Sequence, residues 1–183
     1  MATAEVLMTA EEYCDLPEDG RRTELVRGRI IELTQPTFFH GYVCLEIAAL
    51  LRNWVKEREL GRVVSNDSGI LTQNDPDTVR GADVAYYSFA RIPKALIPTR
   101  YPDVPPELVI EVRSPSDRWR DLHAKVAEYL KIGVLVVCVL DPEPRTAHLY
   151  YPDKPNQNLG PDEELTFPDC LPGFSVPVRR FFE

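Results

Sequence analysis

The sequence predicts an α/β fold of the α+β kind, one mixed central sheet with helices on its faces. Three observations carry this. Residues 107–113 (ELVIEVR), a helical stretch over 117–132 and the continuous apolar run 134–140 (VLVVCVL) follow one another directly. A strand, a helix of about four turns and a strand apolar on both sides form the pattern of a crossover between parallel strands. Residues 40–58 repeat apolar side chains with a helical period, while shorter β-prone runs elsewhere are set off by Gly, Pro, Asn and Asp. At 183 residues, 44% apolar and 27% charged, the chain has the size and balance of one domain, residues 1–183, with an ordinary core.

Each element has a local reason. Thr9-Ala10-Glu11-Glu12 has the T-x-x-E form of a capping box and starts a short helix that ends before Pro17. Residues 24–26 and 29–33 flank Arg27-Gly28 and read as a hairpin. In the long helix Val43, Ile47, Leu50, Leu51 and Trp54 share one face, and Arg52, Asn53, Lys56 and Glu57 take the other. Gly61 is expected to stop it from the position after the C-cap. Residues 62–65 and 69–73 read as two short strands around Asn66-Asp67-Ser68, and 82–88 (ADVAYYS) as a further strand. Pro93, Pro98, Pro102, Pro105 and Pro106 make 93–106 an irregular loop, because proline removes ladder donors. After the turn at 141–145 (DPEPR), residues 146–151 form an antiparallel edge. Residues 152–183 wrap the surface with one or two short strands, and the tail VRRFFE packs onto the body or onto a partner, which leaves a homodimer open.

Charge and cysteine usage narrow the function. Lys and Arg number 21 against 29 Asp and Glu, a net charge of −8. Dedicated duplex-binding domains are usually basic, so this chain must gather its positive charge in one groove, borrow it from metal ions, or bind something other than DNA. Cys14, Cys44, Cys138 and Cys170 form no C-x-x-C pair, which speaks against structural zinc and for free thiols in a reducing compartment. The N-terminus lacks the features of a signal peptide, and the longest apolar run, 134–140, is far too short to span a membrane. The expected location is the cytoplasm, with no membrane attachment. There is no phosphate-binding G-x-x-x-x-G-K-[ST] loop, no G-x-S-x-G elbow and no Rossmann glycine pattern.

Candidate chemistry sits on the strands. Alternation puts Leu108, Ile110 and Val112 on one face of 107–113 and Glu107, Val109, Glu111 and Arg113 on the other. Glu111 in the middle of a central strand is costly unless a cation meets it. A buried ion pair with Arg113 or Lys125 explains it as well as a site does. Asp83 is a second carboxylate inside a strand, and converging carboxylates call for a hard divalent cation. Lys125 lies on the flank of the apolar stripe of its helix, where an exposed pair with Asp121 is the plain alternative. His40 sits in line with the apolar face of the long helix, a position held more often by a core histidine than by a ligand. Glu24, in the hairpin, is weak by itself.

Taken together, these residues resemble the PD-(D/E)XK (restriction-endonuclease-like) nucleases, and more closely their small Uma-type bacterial branch. The segments that carry the resemblance are 23–33 (TELVRGRIIEL), the His40 helix, 79–88 (VRGADVAYYS), 106–142 and 171–176 (LPGFSV). It implies a restriction-endonuclease-like αβββαβ core with an N-terminal helix and hairpin and extra C-terminal strands. It also implies metal-dependent hydrolysis of phosphodiester bonds in DNA, with Mg²⁺ as cofactor and Mn²⁺ as a substitute. Asp83 and Glu111 would be metal ligands and Lys125 the basic partner, with Glu24 and His40 at further positions near the pocket. Two departures stand out. Ala82 occupies the place of the signature proline, and Arg113 the place of the motif lysine, so Arg113 and Lys125 both compete for the basic role. A catalytically weak or inactive domain of the same fold that binds nucleic acid or protein is the alternative function.

Overall fold

The computed structural model describes residues 6–17 and 19–183. Helix α1 (Ala10–Cys14) starts at the predicted capping box: the Thr9 hydroxyl accepts from the Glu12 amide, and the Thr9 amide donates to the Glu12 carboxylate at 2.8 Å. Strands β1 (Thr23–Val26) and β2 (Arg29–Glu32) form the hairpin. Arg27 and Gly28 have φ 50° and 73°, the two left-handed positions that a tight two-residue turn requires. Helix α2 (Phe38–Glu57) starts on Thr37, whose hydroxyl accepts from the His40 amide, and buries His40, Val43, Ile47, Leu51 and Val55.

Two expectations fail just after α2. Its left-handed exit residue is Glu59 (φ 53°), not Gly61. Gly61 instead opens β3 (Gly61–Gln73), where a Cβ would lie 2.1 Å from the Tyr87 carbonyl oxygen. The glycine therefore serves close strand pairing rather than helix termination. The two predicted short strands are also one. Asn66 and Asp67, both at positive φ, make a bulge, and the ladder to β4 (Thr78–Ser88) runs through it from Gly61↔Ser88 to Gln73↔Thr78. Turn-forming residues had read as a break because bulges and turns draw on the same residue types.

The crossover is as predicted. β5 (Leu108–Val112), α3 (Trp119–Lys131) and β6 (Val136–Asp141) follow in order, with β5 and β6 parallel from Leu108↔Val136 to Val112↔Leu140. β7 (Thr146–Tyr150) runs antiparallel to β6 but is not the edge, because β8 (Gln157–Leu159) pairs beyond it. β9 (Glu164–Phe167) and β10 (Leu171–Pro177) form a separate two-stranded sheet, followed by a short 3₁₀ turn, Val178–Phe181. The C-terminal region thus holds three strands where one or two were expected. Phe181 and Phe182 pack onto the body, fully inside its core.

The main sheet runs β2-β1-β4-β5-β6-β7-β8, with β3 on the other edge of β4. That arrangement makes β4 the organising strand. One of its edges is taken by β3 along its length, and the other is divided. Val79 pairs with Leu25 of β1, and residues 84–86 pair with Ile110, Val109 and Leu108 of β5. On this divided edge, between those two partners, residues 80–83 have no strand partner among the described residues. On the α2 face of the sheet Leu108, Ile110 and Val112 join the core with Val84, Tyr86 and the C-terminal phenylalanines. On the α3 face Val109, Ala85, Val137 and Val139 pack against Leu122, Val126 and Tyr129. Among the described residues no helix is long and apolar enough to cross a membrane.

Candidate active site

The gap in β4's edge is filled by side chains instead of a strand. The Gly81 amide donates to Glu24 Oε1 at 3.1 Å, and the Gly81 carbonyl accepts from Lys125 Nζ at 3.1 Å. Asp83 Oδ2 accepts from the Val112 amide at 2.7 Å, tying the gap to β5. Alternation along β5 turns Glu111 to the α3 side, where α3 brings Lys125 and, one turn on, Tyr129. Lys125 Nζ lies 3.1 Å from both Glu111 Oε2 and Glu24 Oε1, and Tyr129 donates to Glu111 Oε1 at 2.9 Å. Glu24, Asp83, Glu111, Lys125 and His40 all line one cavity of about 510 Å³.

Arg80 and Tyr129 extend the network and were missed as site residues. Arg80 bonds Glu24 Oε2 at 2.8 Å and clamps Glu128 through two nitrogens at 2.7 and 2.8 Å. Arg80 lies outside the strand expected over 82–88, which the structure extends back to Thr78, so it carried no strand signal in the sequence. Tyr129 follows Lys125 by four residues, a spacing that puts it on the same side of the helix. His40 faces inward as its position on the apolar stripe predicts, 3.4 Å from Asp83 Oδ2 through Nε2 and 3.5 Å from Cys44 Sγ through Nδ1.

Arg113 goes elsewhere. Its guanidinium bonds both Asp141 oxygens at 3.1 and 3.0 Å, lies over the Trp119 ring, and lines the neighbouring cavity with Thr37, Phe39 and Glu143. The structure therefore gathers five of the six predicted site residues around one cavity and sets Arg113 beside it.

The electrostatics follow from burial and partner count. Burial raises the Glu111 pKa, Lys125 opposes the rise, and Asp83 and Glu24 add to it, leaving it at about 7 against an ordinary 4.5. For Glu24, burial works in the same direction, but Lys125 and Arg80 outweigh it and hold the pKa below its usual value. Asp83 is also held low, since its bonds to His40 and the Val112 amide overcome burial. Burial opposes the charge on Lys125, yet Glu111, Glu24 and Asp83 push its pKa up and keep it an ammonium. The His40 pKa is raised, with Asp83 outweighing burial.

The architecture defines a restriction-endonuclease-like protein with a cluster of buried acids at the centre of its sheet. Residues 10–179 match the family model Uma2, described as "Putative restriction endonuclease", and the chain belongs to that family. A solved structure described as a putative nuclease of the DUF820 group, from Anabaena variabilis, superposes with a TM-score of 0.83. It is 21% identical, and the match covers 96% of this chain and 97% of that one. No protein with a curated description matches significantly. Family and fold together indicate a nuclease, and such membership implies a divalent metal.

The donor set fits such an ion. Three buried carboxylates, Glu24, Asp83 and Glu111, share the cavity with the ammonium of Lys125 and a guanidinium, Arg80, that also serves Glu128. Hard oxygen donors in excess of their cations are what Mg²⁺ takes. Glu24 already spends both oxygens on Gly81, Lys125 and Arg80. Asp83 Oδ1 receives no hydrogen bond among the described residues, so Asp83 has a free oxygen to offer.

Proposed function

We propose that this protein is a metal-dependent endonuclease that hydrolyses phosphodiester bonds in DNA, with Asp83 and Glu111 holding the ion and Lys125 as the basic partner. The observation that supports it is the meeting of these three side chains at the gap in β4's edge, on the wall of one cavity. A divalent cation held there would polarise the phosphate oxygen and lower the pKa of an attacking water.

The chain's own groups do the rest. Lys125 stays charged among carboxylates and presents a compact ammonium that can hold the phosphate or orient the water. Glu24 and the Gly81 carbonyl fix Lys125 from behind, and Arg80 fixes Glu24. Tyr129 orients Glu111, while His40 and the Val112 amide orient Asp83, so the two acids keep their aim with no substrate present. This preorganisation is where electrostatic catalysis gets most of its power. The net charge of −8 is compatible with a DNA substrate because local positive charge comes from Lys125 and the ion.

The test is cleavage of supercoiled, linear and single-stranded DNA with Mg²⁺ or Mn²⁺, beside an Asp83→Ala control that folds. The expected result is cleavage that vanishes with chelator and with the variant. Intact DNA in every form and with every ion would sink the reading and favour a binding role for the fold.

A further inference from the structure

His40 and Cys44 stand one turn apart on α2 and face the same way, toward the end of the gap that holds Asp83. Their ligating atoms and a carboxylate oxygen of Asp83 all lie within 4.8 Å of one another. His40 and Asp83 are buried, at 8% exposure each, and Cys44 is half-buried. The imidazole at present bridges the other two, with Nδ1 toward the thiol at 3.5 Å and Nε2 toward the carboxylate at 3.4 Å.

We infer that His40, Cys44 and Asp83 form a second metal site, selective for a thiophilic divalent transition ion such as Zn²⁺ or Co²⁺, which shares Asp83 with the hard-cation pair. Nitrogen, sulfur and oxygen donors suit zinc or cobalt and do not suit Mg²⁺, which prefers oxygen alone. Zinc bonds of about 2.0–2.3 Å require these ligands to draw together by side-chain rotation. The imidazole gives up one of its two hydrogen bonds and ligates through the freed nitrogen. The Cys44 thiol loses its proton to solvent on binding, and the sulfur lone pair forms the new bond. With three protein ligands, the fourth position faces the cavity that His40 and Asp83 line.

This inference needs the three side chains and no cleavage activity, so it survives or fails separately from the nuclease reading. The test is optical titration of metal-free protein with Co²⁺. The expected result is a thiolate-to-cobalt charge-transfer band that saturates at one equivalent, is bleached by Zn²⁺ and resists excess Mg²⁺. Cys44→Ser should abolish the band and weaken Co²⁺ binding by about tenfold or more, since even outer-shell changes cost on this scale. Cys170→Ser, checked for folding in the same way, should keep the band. A wild type without the band, or a Cys44→Ser protein that retains it, overturns the site.

Discussion

Lys125 and Arg113 are two half-buried cations near strand β5, with 17% and 16% of their side chains exposed. Burial does not tell them apart; their counterions do. Lys125 faces Glu24 and Glu111 with Asp83 close behind, more negative charge than it can neutralise. Arg113 meets Asp141 through two short contacts, with exposed Glu143 at 3.5 Å and the Trp119 ring beneath it. Arg113 has carboxylates enough to neutralise it, while Lys125 faces more carboxylate charge than it can neutralise and leaves some over for a ligand. A compact ammonium suits a site that must exchange partners, whereas Arg113 holds both Asp141 oxygens through one nitrogen, Nη1.

The sharpest way to break this contrast is to remove each cation in turn. Lys125→Ala should slow single-turnover cleavage about 10²–10³-fold, the scale of losing one preorganised donor. Arg113→Ala should change the rate far less but cost roughly 3 kcal/mol of stability, because Asp141 stays buried without its partner. Rate assays paired with denaturant melts read both. A dead Arg113 variant beside an active Lys125 variant would move the basic role to the strand.

A second effect comes from Glu111. Its folded pKa of about 7 lies above its ordinary 4.5, so its contribution to stability is present below about pH 4.5 and lost as pH rises toward 7. Metal-free protein should therefore lose stability across that window, by up to about 1.4 kcal/mol per pH unit, and Glu111→Gln should flatten the slope. Mg²⁺ needs the ionised form, so its stabilisation should grow over the same range. Melting curves with and without Mg²⁺ measure this, and an NMR titration that finds Glu111 ionising below Asp83 would show that Lys125 outweighs the neighbouring acids.

The smallest expected effect is that of Tyr129→Phe. It removes a bond to a charged acceptor, worth about 1.5–3 kcal/mol at most, and should raise the Glu111 pKa further. Unchanged stability and an unchanged pKa would mean that Lys125 alone holds Glu111.

Much of this was legible in the sequence, for identifiable reasons. The capping box at Thr9, the Arg27-Gly28 turn and the βαβ crossover each have a strong local signature, and each is found. Glu111 and Asp83 stood out because carboxylates are rare inside strands. What failed was non-local. Asn66-Asp67 reads as a turn until a partner strand holds it as a bulge, and Gly61 reads as a helix stop until Tyr87 is known to press against it. Arg80 and Tyr129 became site residues only when the divided edge of β4 brought Glu24 to Gly81, a contact between residues 57 apart. The contrast between Arg113 and Lys125 likewise rests on Asp141, which reads in the sequence only as part of a turn.

The placement of Phe181 and Phe182 in the core has a consequence for biosynthesis. Glu24, Asp83, Glu111, Lys125 and Tyr129, together with the apolar residues that back them on the α3 face, have all been translated by residue 139. The α2 face lacks Phe167, Phe174, Phe181 and Phe182 until more than forty further residues have followed. A nascent chain stalled between those points carries every acid of the site with half of the sheet unsupported. The acids of the candidate site thus precede, in chain order, the phenylalanines that complete the opposite face of their sheet.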